Sequence, residues 1–102
     1  MKVLLLTTWE NPKSVEGLKM YYTSVEKEFP RMLERQKKFN VKYSGWSDGT
    51  GKMYMLEEFD SYETFAKYMD DEEFQKDFVR ICRRINNVKR QVLTEAMEVP
   101  PT

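Results

Sequence analysis

Residues 53–78, MYMLEEFDSYETFAKYMDDEEFQKDF, decide the fold. They read as a strand that passes into two capped helices with no linker. Residues 52–59 (KMYMLEEF) are rich in aromatic and large apolar side chains and follow a turn cluster, Ser47 to Gly51. That is the composition of a strand entered from a hairpin. Asp60 stands three residues before Glu63, and Asp70 three before Glu73, so each pair predicts a capping box with Asp as the cap. A short helix followed at once by a longer one is expected. In the longer one Phe74, Phe78, Ile81, Cys82 and Ile85 recur at helical spacing and form a single apolar stripe.

Toward the N-terminus, residues 2–9 (KVLLLTTW) read as a strand that is apolar on both faces in its first half, hence central in its sheet. Asn11-Pro12 predicts an N-cap with proline at the first helical position. Val15, Leu18, Tyr22, Val25, Phe29 and Met32 step by threes and fours, which predicts a long amphipathic helix. Pro30 removes one helical hydrogen bond and crowds the carbonyl of Glu26. A kink or break is therefore expected near Glu28 to Pro30, with a second helical piece to about Lys38. Residues 40–46 (NVKYSGW) predict a second strand, paired with the third through the Asp48-Gly49 turn. Beyond the helices, Asn86-Asn87 predicts a turn and residues 88–97 (VKRQVLTEAM) a last strand. Val99-Pro100-Pro101-Thr102 predicts a frayed tail.

The element order is therefore β-α-β-β-α-β with its second helical region split. This is a ferredoxin-like α+β arrangement, a single domain over residues 1–102 with one four-stranded antiparallel sheet and helices on one face. Both parities of the middle strands carry large side chains: Val41 and Tyr43 alternate with Ser44 and Trp46, and Met53 and Met55 with Tyr54 and Leu56. The face away from the helices thus needs a cover, and a second copy of the chain is the simplest one. A homodimer through that face is expected.

The 102 residues carry 17 basic and 17 acidic side chains, a formal net charge of zero. Such a chain has no bulk attraction to nucleic acid or to an anionic membrane, so neither is expected as a partner. The run of Arg80, Arg83 and Arg84 reads as a solvated helix face. A lone cysteine, Cys82, excludes an intrachain disulfide and makes a cytoplasmic location the expectation; on an apolar stripe it acts as a small hydrophobe. The aliphatic run Val3 to Leu6 is too short for a signal-peptide core or a membrane span. An aromatic content of 14% together with seven methionines suits a core of large, irregular side chains that encloses a pocket.

The passage Leu56-Glu57-Glu58-Phe59-Asp60-Ser61-Tyr62-Glu63-Thr64-Phe65, a strand ending in an aromatic and followed by a Ser and a Glu that open a helix, resembles the dimeric α+β-barrel superfamily. Antibiotic-biosynthesis-type monooxygenases are its best-known members. The resemblance spans nearly the whole chain through the element order. It implies two sheets packed face to face into a homodimeric barrel, with a ligand cavity in each subunit. Haem-degrading members use an Asn, Trp and His set. This chain has no histidine, and Trp9, Trp46, Asn86 and Asn87 match no part of that set, so no catalytic residue carries over.

The absence of histidine also removes Ser-His and Cys-His nucleophiles and zinc sites built from His and Cys. No metal and no cofactor are expected. Glu57 and Glu58, adjacent on a strand, must point to opposite faces; the favoured expectation is that both reach water at the strand end or pair with Lys42 or Arg90, and the alternative is that at least one is partly desolvated and suited to act as a general base. The residues expected to close a pocket are Trp9, Tyr22, Trp46, Tyr54 and Glu57. The functional expectation is a homodimeric barrel of unassigned activity that binds a small apolar or aromatic molecule. One alternative is a cofactor-independent monooxygenase-like or isomerase-like enzyme acting on a small aromatic or polyketide-like compound. A more distant one is an RNA-recognition module, since Gly51 to Phe59 echoes its third-strand motif. Glu57 and Glu58 would repel phosphates there, and the first strand offers Leu where a stacking aromatic belongs.

Overall fold

Alternation along the first strand sets the two faces of the sheet. Val3, Leu5 and Thr7 are buried, whereas Leu4, Leu6 and Thr8 between them are only half-buried. The computed structural model describes residues 2–96, in the order β1 (Val3–Glu10), α1 (Val15–Lys38), β2 (Lys42–Ser47), β3 (Lys52–Phe59), α2 (Tyr62–Met69), α3 (Glu72–Cys82) and β4 (Asn86–Thr94). The strands lie in the order β2-β3-β1-β4 with every neighbouring pair antiparallel, so β1 is central as its apolar run predicts. This is the ferredoxin-like arrangement. The expected tail, Val99 to Thr102, and Met97 of the expected last strand lie outside the described residues.

Pairing across the sheet puts Val3 beside Phe59, Leu5 beside Glu57, Thr7 beside Met55 and Trp9 beside Met53. This face receives the helices. Val3, Leu5 and Phe59 meet Phe65 and Tyr68 of α2 and Phe74 of α3 in the main core cluster. The rings pack at tilted and edge angles, with centroids 5.2 Å apart for Phe59 and Phe65 and 4.6 Å for Tyr68 and Phe74. Each such pair contributes about 1 kcal/mol beyond its buried area.

Three local expectations are corrected. The first concerns α1, which is capped by Ser14, whose Oγ accepts from Gly17 N–H at 3.0 Å, and not by Asn11. Pro12 instead folds against the first turn; a Cβ at Gly17 would stand 2.8 Å from Pro12 Cβ. The second is the break expected as one outcome at Pro30: α1 runs unbroken for 24 residues through it. Pro30 and Glu26 are both exposed, so water can serve the carbonyl that proline leaves unpaired. Glu28, Met32, Arg35 and Gln36 meanwhile bury the opposite side and hold the helix on the sheet. The third concerns the other two helices, whose caps sit one residue later than expected. Ser61 accepts from Thr64 N–H and Asp71 from Phe74 N–H. Asp60 is held instead by Asn40 Nδ2 at 2.8 Å, and Asp70 ends α2 in a helical conformation that an N-cap does not adopt.

Strand limits shift as well. Asn40 takes a left-handed φ of 54° just after α1, so β2 begins at Lys42 and not at Asn40. Asn86 and Asn87 open β4 in place of a turn, with Asn87 at φ 53° beside a register shift opposite Trp9. The β2–β3 hairpin is as expected: Asp48 Oδ1 accepts from Thr50 N–H at 2.8 Å, and Gly49 and Gly51 take positive φ.

Two buried carboxylates tie the helices down. Asp77 of α3 is fully buried and accepts from Arg35 at 2.7 Å, Arg31 at 2.9 Å and Arg80 at 3.2 Å, while Glu28 pairs with Arg31. Burial pushes the Asp77 carboxyl up, but its contact with Glu28 and the Arg35 and Arg31 guanidinium groups more than offset that, so its pKa falls below the usual aspartate value. Glu57 of β3, 1% exposed, accepts from Gln36 Nε2 of α1 at 3.1 Å and from the Tyr68 hydroxyl of α2 at 2.9 Å. Here burial dominates and raises the carboxyl above the usual range despite both hydrogen bonds and the nearby Arg90 charge. The Tyr68 phenol is raised too, by burial and then by the Glu57 charge.

The two carboxylates give opposite pH dependences. The depressed Asp77 contributes stability above its unfolded pKa of about 3.9 and loses it as pH falls through the folded value. Asp77→Ala is expected to cost about 3 kcal/mol at pH 7 by urea unfolding, at the low end for a broken buried pair because Arg31 and Arg80 stay half-exposed. The raised Glu57 contributes fully below its unfolded pKa of about 4.3 and loses that contribution as pH rises through the folded value. Glu57→Gln keeps an acceptor for Tyr68 without ionising. Its melting temperature should exceed that of the parent at pH 8, with the difference closing toward pH 4.

Candidate functional site

The helices cover their face of the sheet incompletely. Where α1 and α3 pass over the half of the sheet that holds Thr7, Trp9, Met53 and Met55 they leave a cavity of about 270 Å³. One wall of α1 faces it through Tyr21, Val25, Phe29 and Met32, spaced by four, four and three, so they share one side of the helix. Phe78 and Ile81 of α3, with Ile85 after it, supply the second wall. The floor is the sheet: Thr7 and Trp9 on β1, Met53 and Met55 on β3, and Tyr43 and Gly45 on β2. Phe29 meets Tyr43 edge-on, centroids 6.2 Å apart, and closes the gap between α1 and β2. Gly45 leaves the floor open, since a Cβ there would meet only the Tyr43 hydroxyl, at 3.9 Å.

No charged side chain among the described residues lines this space. Its polar atoms belong to threonine, tryptophan and tyrosine. Thr7 Oγ1 is buried without a hydrogen-bond partner among the described residues, and the Trp9 indole Nε1 without one of full hydrogen-bond geometry. Burial pushes the Tyr21 phenol up, with the neighbouring Trp9 indole opposing the rise. Arg90, opposite Thr7 on β4, turns its guanidinium onto the Phe78 ring, 3.3 Å from the centroid, so its charge lies off the wall. Burial lowers the Arg90 pKa. Burial likewise raises the Cys82 thiol, with Arg90 opposing, and this favours the protonated, unreactive form. Among the described residues no group of three or more His, Cys, Asp and Glu side chains is placed to hold a metal.

The five residues expected to close a pocket fall in different places. Trp9 and Tyr54 line the cavity. By register Tyr54 pairs with Thr8 and Trp46 on the open face, so it reaches the cavity through its backbone. Tyr22 does not line it: the adjacent Tyr21 does, and Tyr22 is 56% exposed. Trp46 also stands off, on the open face and 62% exposed, its indole N–H donating to Ser44 Oγ at 3.0 Å. Glu57 is on the cavity's side of the sheet but off its wall, held by Gln36 and Tyr68. Its neighbour Glu58 faces the other way and meets Lys2 at 3.5 Å and Lys42 at 3.8 Å. Thr7 and Tyr21 escaped the sequence reading. Thr7 had one visible signal, a small polar residue on the buried parity of an otherwise apolar strand.

No protein-family model matches the chain, and no curated protein sequence does. Solved structures do match. Rv0793 from Mycobacterium tuberculosis superposes with a TM-score of 0.71 at 10% identity, over 98% of this chain and 100% of that one. SnoaB, a cofactor-independent oxygenase from Streptomyces nogalater, gives 0.65 at 11% identity over 98% of both chains. A dimeric ferredoxin-like protein from an uncultured marine organism gives 0.65 at 15%, over 99% of this chain and 100% of that one. Likeness over the full length at such low identity is likeness of fold. What this chain shares with them is the ferredoxin-like α+β fold.

Proposed function

We propose that the chain works as a homodimer joined through its open sheet faces, and that each subunit holds a small apolar or aromatic molecule between its sheet and helices. The cavity carries the second half of this reading. At about 270 Å³ it is near the lower bound for small-molecule sites, and its wall is apolar with a few polar atoms, as such sites are. The dimeric ferredoxin-like neighbour supports the first half, as does the open face itself. Leu4, Leu6, Leu56 and Tyr54 lie there half-buried, with Leu93 and Trp46 more exposed. An apolar sheet face of that kind, roughly several hundred Å², calls for a partner, and a two-fold contact lets one copy cover the other.

SnoaB is an oxygenase, and the same fold in this chain admits an enzymatic reading. Binding without catalysis is favoured because the one carboxylate suited to proton transfer, Glu57, is engaged by Gln36 and Tyr68 and stands off the wall. An RNA reading is weaker still, since Leu4 and Leu6 occupy the centre of the open face where stacking aromatics would be needed.

Sedimentation equilibrium at micromolar concentration should give twice the 12.3 kDa chain mass. Leu56→Lys, which puts a charge at the centre of the open face, should give the single mass with an unchanged circular dichroism spectrum. A parent protein that sediments at 12.3 kDa overturns the dimer. For the cavity, Gly45→Leu adds bulk where the floor is empty. It should abolish quenching of tryptophan fluorescence by bicyclic aromatic compounds while leaving the melting temperature within a few degrees of the parent. Equal quenching in the two proteins would remove the cavity as the binding site.

A further inference from the structure

The cavity contains two polar groups that the protein itself leaves without a well-formed hydrogen bond. Thr7 is 2% exposed, and its Oγ1 has no hydrogen-bond partner among the described residues; Trp9 Nε1 has none of full hydrogen-bond geometry, the Tyr21 hydroxyl being the acceptor that stands beside it. Buried polar groups almost always have one, and a native exception asks for a reason. These two stand two apart on the same face of β1, and both line the same space. An indole N–H can only donate, so whatever serves Trp9 must be an acceptor. The threonine hydroxyl donates equally well. The wall holds no charged side chain among the described residues, so a carboxylate or an ammonium ion placed there would lose its hydration without gaining a counter-ion. Volume sets the remaining limit. A cavity of roughly 150 Å³ takes one benzene ring, so about 270 Å³ takes about two fused rings.

We propose that the molecule bound in the cavity is an uncharged compound of one or two rings carrying a hydrogen-bond-accepting oxygen, a ring ketone or its like, with that oxygen held by Thr7 and Trp9. This rests on the cavity reading above and adds the orientation of the ligand: oxygen toward the middle of β1, rings between Phe29, Met32 and Phe78. Thr7 and Trp9 then set specificity, while the apolar wall supplies contact area.

The test uses three probes of similar size on the full chain, with titrations followed by the line widths of the probe's NMR signals. They are 1-tetralone, its deoxygenated counterpart tetralin, and 1-naphthoate. Tetralone should bind about tenfold more tightly than tetralin, the effect of one or two hydrogen bonds to groups that otherwise go unpaired, and naphthoate should bind weakest. Thr7→Val and Trp9→Phe should each bring tetralone toward the level of tetralin and leave tetralin unchanged. Thr7→Val should also melt no lower than the parent, because the hydroxyl it removes has no internal partner. If tetralin binds as well as tetralone, trapped water serves the two groups; the cavity reading stands and the polar recognition falls. Tightest binding by naphthoate, or a Thr7→Val protein that melts well below the parent, overturns the proposal too. If none of the three binds, the cavity reading falls with it.

Discussion

The fold depends on the contact between α1 and α3, and that contact depends on Asp77. Three arginines from two helices converge on this one buried carboxylate: Arg31 and Arg35 from α1, and Arg80 from its own helix. Met32 of α1 and Phe78 of α3 both face the cavity. The charged cluster runs along the outside of that gap. It ties α1 to α3 beside the cavity that Met32 and Phe78 line.

A second tie works from the sheet. Glu57 reaches α1 through Gln36 and α2 through Tyr68, at the end of the covered face where the aromatic core is dense. The covered face is thus divided along its length. At one end lie Val3, Leu5, Phe59 and the α2 aromatics, fully packed and anchored by a buried carboxylate. At the other lie Thr7, Trp9, Met53 and Met55, less tightly covered. Register produces this division: the same β1–β3 pairing that puts Leu5 beside Glu57 puts Thr7 beside Met55.

The parts of this arrangement that depend on local pattern could be read from residues alone. Strand β3 spans residues 52–59 as its composition indicates, the split helices follow it, and the element order yields the sheet. Some errors arose where two adjacent residues were chemically equivalent and their tertiary surroundings chose between them. Asp60 and Ser61 both cap helices well, and Asn40, twenty residues away in sequence, takes Asp60 out of contention. Tyr21 and Tyr22 both continue a helical stripe, and only the docking angle of α1 turns Tyr21 inward. Pro30 is disruptive by its covalent structure, but its exposure leaves the neighbouring carbonyl open to water. The cavity was legible only as a tendency of composition, because a void is a property of how helices sit and not of any one residue.

That void is not explained as slack in the packing. A leftover gap is cheapest when its lining is wholly apolar, and most of this lining is: Val25, Phe29, Met32, Met53, Met55, Phe78 and the two isoleucines. Valine at position 7 would match threonine in shape and β propensity without leaving a hydroxyl unpaired. Phenylalanine at position 9 would fill similar space without a stranded N–H. The chain instead has both polar groups on the buried parity of its most apolar strand. The fold satisfies comparable demands elsewhere, giving Glu57 two donors and Asp77 three arginines. Asn11 Oδ1 and Arg35 Nε are also buried without a partner among the described residues, but neither lines the cavity; Thr7 and Trp9 stand two apart on one strand and share its wall, which is consistent with a partner that comes from outside the chain.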